Sequence, residues 1–101
     1  MRLRYGFEAG SGVCLWAQDA EAQLYFGDFA IELSQLALSR NTEAWLRYLL
    51  AWFDTSLDWD DPLSAGACWD AAEQLRFAAA AQRGLALLRA ELDAGWQIEM
   101  G

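Results

Sequence analysis

Residues 39–57 read SRNTEAWLRYLLAWFDTSL, and the spacing of their apolar positions decides the fold. Leu46, Leu49, Leu50, Phe53 and Leu57 recur at intervals of three and four, the period of a helix that buries one stripe. Ser39 or Asn41 supplies the N-cap, because a short polar side chain can accept from an unpaired N–H of the first turn. Trp45, Tyr48 and Trp52 widen the stripe so far that the helix is expected to have apolar neighbours on more than one side.

Downstream, Asp58 to Gly66 breaks the helix: Pro62 disfavours helical geometry at Asp61, and Gly66 adds freedom. A second long helix begins around Asp70, which stands at capping-box spacing from Glu73, and runs to about Asp93. Its stripe is read as Leu75, Ala78, Gln82, Leu85, Leu88 and Leu92, with Ala79 to Ala81 allowing a close neighbour. Gly95 is the expected stop, and Trp96, Ile98 and Met100 then alternate with polar residues as a final strand.

Upstream, Leu3, Tyr5 and Phe7 alternate with Arg2, Arg4 and Glu8 as a half-buried strand does. Ala9 to Gly12 supply a turn, and Val13 to Ala17 resume an apolar run, which makes a β-hairpin. Asp19 caps a short helix through Tyr25 that Gly27 stops. Residues 26–38 are read as an irregular wrap with a short extended segment near Ile31 to Leu33. Three short strands need cover on one face, and two long antiparallel helices provide it. The expected fold is a single α+β domain over residues 1–101: a small three-stranded sheet, from the N-terminal hairpin and the C-terminal strand, under two helices.

The chain has 101 residues, 55% of them hydrophobic, with a formal charge of −8 and no histidine. One compact core is within reach at that size. The seven arginines are scattered and no lysine accompanies them, so neither nucleic acid nor an anionic membrane surface is an expected partner. A carboxylate excess steers toward a basic partner instead, or keeps an apolar small protein soluble. No apolar run approaches the roughly 20 residues of a membrane span. With neither a signal-peptide pattern nor a disulfide framework, the cytosol is the expected compartment. Cys14 and Cys68 form no CxxC pair and are read as free thiols.

The missing histidine removes the commonest general base and metal ligand, and with it Ser-His-Asp and Cys-His machinery. No P-loop or GxGxxG follows a strand. Asp54, Asp58, Asp60 and Asp61 are the densest acidic group, but the glycine and terminal glutamate of an EF-hand are absent at the required offsets. No cofactor or metal is expected, and the chain reads as a non-catalytic binding protein. The same aspartates flank Trp59, as in a recognition loop with an aromatic anchor and an acidic rim; the other reading has Trp59 folding back onto the core. Asp28 and Glu32 form a second acidic patch. Trp16, Trp45, Trp52 and Trp96 are assigned to core packing, and Trp69 to a staple before the second long helix.

Residues 36–62, LALSRNTEAWLRYLLAWFDTSLDWDDP, carry L-x-L-S, a helix with tryptophan near its end, and a D-x-(S/T)-L-(D/N)-W-x-x-P turn. Phe77, the run Leu88 to Leu92, and Trp96 continue the pattern, which leaves the N-terminal hairpin outside it. In these residues the chain resembles a group of small acidic bacterial proteins. Their size and acidity look like those of cognate immunity proteins of bacterial toxin systems, contact-dependent and Rhs type. The resemblance implies a protein that binds and neutralises a toxin domain, with a basic protein surface as partner. The alternative is a regulatory or structural subunit that self-associates, as a homodimer, through exposed tryptophans.

Overall fold

The computed structural model describes residues 1–57, 60 and 68–101. Its elements are β1 (Arg2–Tyr5), β2 (Leu15–Ala17), α1 (Ala20–Phe26), β3 (Ala30–Ile31), a 3-10 turn (Leu33–Gln35), α2 (Arg40–Asp54), α3 (Ala71–Glu91) and β4 (Gln97–Met100). The class is α+β as expected, but the sheet has four strands in the order β3-β2-β1-β4. The fourth is β3, inside the segment read as an irregular wrap. Leu15 pairs with Ile31, and Trp16 with Ala30. A strand of two residues leaves almost no periodicity to read, and its existence depends on the neighbour it pairs with. A third helix, α1, also stands beside the two long ones.

The hairpin is antiparallel, with Leu3 opposite Ala17 and Tyr5 opposite Leu15. The C-terminal strand enters parallel to β1, placing Leu3 beside Ile98 and Tyr5 beside Met100. Side chains alternate across the pleat. Leu3, Tyr5, Leu15, Ala17, Ile31 and Ile98 therefore share the face that joins Leu46, Leu49, Phe77, Ala81, Leu85 and Leu88 in one buried core. The opposite face carries the cross-strand row Ala30, Trp16, Arg4 and Glu99. There the Arg4 guanidinium lies 4.2 Å from the centre of the Trp16 ring, a cation–π contact that covers the indole.

Caps fall where the sequence places them. Asp19 accepts from the N–H of Ala22, and Gly27 ends α1 at φ 78°, a left-handed conformation that favours glycine. Ser39 caps α2 through the N–H of Thr42, and Asp70 caps α3 through the N–H of Glu73. Three local readings fail. Leu57 is buried but lies beyond α2, which ends at Asp54. Gly95 is not the helix stop, since Leu92 caps α3 in extended geometry. The stripe of α3 is rotated over its first half: Phe77, Ala81 and Gly84 face inward, while Leu75 is 74% exposed and Ala78 and Gln82 face solvent.

Small residues set that rotation. A Cβ on Gly84 would stand 2.6 Å from the Tyr5 hydroxyl and 3.0 Å from Leu49 Cδ1. The Tyr5 hydroxyl, fully buried, donates to the Ala81 carbonyl at 2.9 Å. Burial raises the phenol's pKa, so it remains a donor. The Trp45 indole N–H reaches the Ala80 carbonyl from α2 at 3.2 Å. α3 thus comes close to both sheet and α2 at Ala81 and Gly84, where its inner face is nearly bare of side chain.

Candidate functional site

Of the first acidic group, Asp54 is the exposed last residue of α2 and Asp60 is exposed beyond it. Asp58, Trp59 and Asp61 lie outside the described residues. The two sides of this connection are tied together: the Cys68 N–H donates to the Ser56 carbonyl at 3.2 Å, and the Trp69 indole donates to Thr55 Oγ1 at 2.8 Å. The Trp69 ring packs on Phe77 at 4.9 Å and meets Trp52 and Phe53, so it serves the core between the helices.

Asp28 and Glu32 bracket β3 at the sheet edge, both exposed. The structure keeps them apart from Asp54. The Ala17 N–H donates to the Phe29 carbonyl, which puts Phe29 level with Leu3, where β1 begins. Phe53, at the end of α2, stacks on Phe7 past the other end of β1. Asp28 therefore lies toward the other end of the sheet from Asp54, whereas Glu32 follows Ile31, which is level with Tyr5, and is set apart from Asp54 by its place on the β3 edge.

Beside Asp28 the surface is apolar. Leu24 is 85% exposed, Phe29 is 49% exposed and Tyr25 is exposed. Leu24, Phe29, Gly27 and Asp28 help line an open hollow of about 520 Å³. α1 has only two turns, and Ala22 and Phe26, four apart, are its buried pair; Leu24 and Tyr25 then have to point elsewhere. Tyr25 leans on Phe26 and Trp96 at 4.9 and 5.8 Å, leaving Leu24 and Phe29 as the free apolar pair. These two were not singled out from sequence. The signal was available: residues 5–39 contain five carboxylates and neither Arg nor Lys, around a helix too short to bury its whole apolar content.

The two sheet edges differ. In the β3 ladder Phe29 and Ile31 bond toward β2, so the N–H and C=O of Ala30 point outward. Beyond it, the Glu32 N–H is taken by Gln35 Oε1 at 3.0 Å. On β4 the outward carbonyl of Ile98 receives both Nε and Nη2 of Arg89, at 3.2 and 2.6 Å. That hydrogen-bonded arginine, rooted in α3, blunts the β4 edge.

The remaining charged residues mostly serve the fold. Glu91, at the end of α3, accepts from the Ser39 N–H at 2.6 Å, from Ser39 Oγ and from Thr42 Oγ1. It reinforces the N-terminus of α2, and these bonds, the Ser39 N–H first, hold its carboxyl below the usual range. Glu73 accepts from Arg76 and from the Trp52 indole, which lower its pKa in that order. Asp19 is lowered chiefly by the Ala22 N–H. Neither Asp28, Glu32 nor Asp54 joins an ion pair among the described residues.

Burial pushes the Cys14 thiol up to about 12, which leaves it protonated and unreactive at neutral pH; Cys68 is exposed. Among the described residues no three His, Cys, Asp or Glu side chains converge as a metal site, and no helix is long and apolar enough to cross a membrane. The five described tryptophans are all buried or half-buried, and Trp59 lies outside the described residues.

No curated protein matches the sequence. A family model described as Serratia CdiI immunity protein-like matches residues 2–100. The chain belongs to that family, and the match extends the resemblance of residues 36–96 through the N-terminal hairpin.

Proposed function

We infer, from membership of the Serratia CdiI immunity protein-like family, that this chain binds a toxin domain and neutralises it by covering the surface the toxin needs. The match across residues 2–100 is the observation that carries this reading. Neutralisation by occlusion requires no chemistry from the inhibitor, only a surface complementary in shape and charge. The formal charge of −8 favours a basic partner, as do the exposed carboxylates of Asp28, Glu32 and Asp54. Asp54, Asp58, Asp60 and Asp61 act through long-range attraction, and Trp59, among them in the sequence, is an aromatic contact. Asp28 and Glu32 do the same at the β3 edge.

Co-expression with the toxin domain encoded beside this gene tests the reading. Growth is restored and the two proteins co-elute as a complex if it holds. A toxin domain that still arrests growth and elutes alone would contradict it. The triple change of Asp58, Asp60 and Asp61 to Asn locates the steering charge: association slows and loses salt dependence if the α2–α3 connection contributes.

A further inference from the structure

We propose that the corner between α1 and β3 is where the partner anchors. The occupant is a basic protein segment laid along the β3 edge, with an apolar side chain seated between Leu24 and Phe29 and Arg or Lys residues facing Asp28 and Glu32. The inference deepens the immunity reading and rests on it.

Three independent features converge on this corner. The first is apolar: Leu24 at 85% exposure and Phe29 at 49% flank a hollow of about 520 Å³. A lone exposed leucine is ordinary, but an apolar pair around a concavity with a polar rim is the pattern of an interface core. Gly27 keeps the floor open, because nothing stands within 4 Å of where its Cβ would be.

The second feature is charge. Asp28 and Glu32 lie on either side of β3 without an ion pair among the described residues, in a stretch from residue 5 to 39 that has no basic side chain. Glu21, whose carboxylate lies 3.6 Å from the terminal amine, and Asp19 belong to the same stretch. The terminal amine and Arg2 offset Glu21 and Asp19, which leaves Asp28 and Glu32, among the described residues, as the unpaired charges beside the apolar hollow, and these favour a partner whose apolar group is flanked by positive charge.

The third is backbone. Ala30 offers an outward N–H and C=O, so an extended segment can add one bonded pair to β3 before Gln35 closes the edge at Glu32. That fixes the direction of the segment without demanding a long added strand. At the opposite edge Arg89 occupies the Ile98 carbonyl and presents positive charge, which disfavours the same occupant.

The test measures binding of the full chain to the toxin domain encoded beside it. In the double variant Leu24→Ala/Phe29→Ala, Kd rises about 30-fold or more, chiefly through faster dissociation, as for truncated anchors. Its melting temperature holds, since both side chains are largely outside the core. In Asp28→Asn/Glu32→Gln, association slows several-fold and its salt dependence flattens. Wild-type affinity in the apolar double variant overturns this surface while the immunity reading stands. Failure of the unaltered chain to bind overturns both. Should the apolar variant melt early, the charge variant decides, and an unchanged association rate there overturns the proposal. Dimerisation that the apolar variant abolishes would assign the corner to a second copy and overturn it likewise.

Discussion

Between α2 and α3 nearly every large side chain has an internal partner, whereas at the corner of α1 and β3 the large side chains meet solvent. Trp45, Trp52 and Trp69 each place an indole N–H on an acceptor, at 3.2, 2.7 and 2.8 Å. Their rings close around Phe77 and Tyr48. Glu91 and Glu73 are similarly engaged. At the corner, Leu24 and Phe29 cover little and Asp28 and Glu32 pair with no cation among the described residues. Aromatic abundance is thus no guide to where a surface binds. The tryptophan-rich region is committed to the fold, and the proposed binding face is a modest patch whose carboxylates, among the described residues, accept only local backbone N–H groups.

That contrast can be broken by substitution, and the largest effect is expected at Phe77. Its ring contacts Phe7, Trp52, Phe53 and Trp69, so Phe77→Ala costs about 3–5 kcal/mol in urea unfolding. A loss under 1 kcal/mol would show that the aromatic cluster is not a packed core.

Gly84→Ala comes next. Helix propensity alone favours alanine by about 1 kcal/mol, but the new methyl meets a buried, hydrogen-bonded Tyr5 hydroxyl at 2.6 Å. Overpacking of that kind costs about 1–3 kcal/mol, so net destabilisation is expected. A stabilised variant would refute the close approach of α3 to the sheet.

Glu91 has a pH signature. Its carboxyl is depressed in the folded state below the ordinary 4.5, so its contribution is present above that value and is lost as pH falls through the depressed one. Glu91→Gln therefore lowers the melting temperature at pH 7, and the gap between variant and parent closes as pH falls below the ordinary carboxylate range. A gap that persists in acid would mean that the carboxylate charge is not what holds Ser39 and Thr42.

The smallest effect is expected at the corner: Leu24→Ala changes unfolding free energy by no more than about 0.5 kcal/mol, as at an exposed site. A larger loss, read from the same urea curves, would make Leu24 a fold residue and erase the contrast.

Local chemistry made much of the fold legible. Asp19, Ser39 and Asp70 were readable as caps because each satisfies a donor three residues on. The alternation of Leu3 and Tyr5 with Arg2 and Arg4 gave the first strand its inner face. The stripe of α3 was legible at Leu85, Leu88 and Leu92 but not over its first half, where leucine content drew it toward Leu75 while the inward face is Phe77 with Ala81 and Gly84, the last two carrying little hydrophobic signal of their own. The parallel pairing of β4 with β1 could not be read, and β3 was legible only as an extended segment near Ile31 to Leu33 and not as a paired strand, since both pairings are set by partners distant in sequence. Of the proposed corner, Asp28 and Glu32 were legible as an acidic patch through charge. Leu24 and Phe29 were missed because exposure of an apolar residue depends on which neighbours a short helix has already buried.

Hydrogen–deuterium exchange on the complex with the toxin domain encoded beside this gene addresses the central claim most directly. The account expects new protection over residues 24–32, including the outward amide of Ala30, with β4 exchanging as in the free protein behind its Arg89 contact. Unchanged exchange over residues 24–32, with protection gathered along β4 or the outer face of α2, would contradict it.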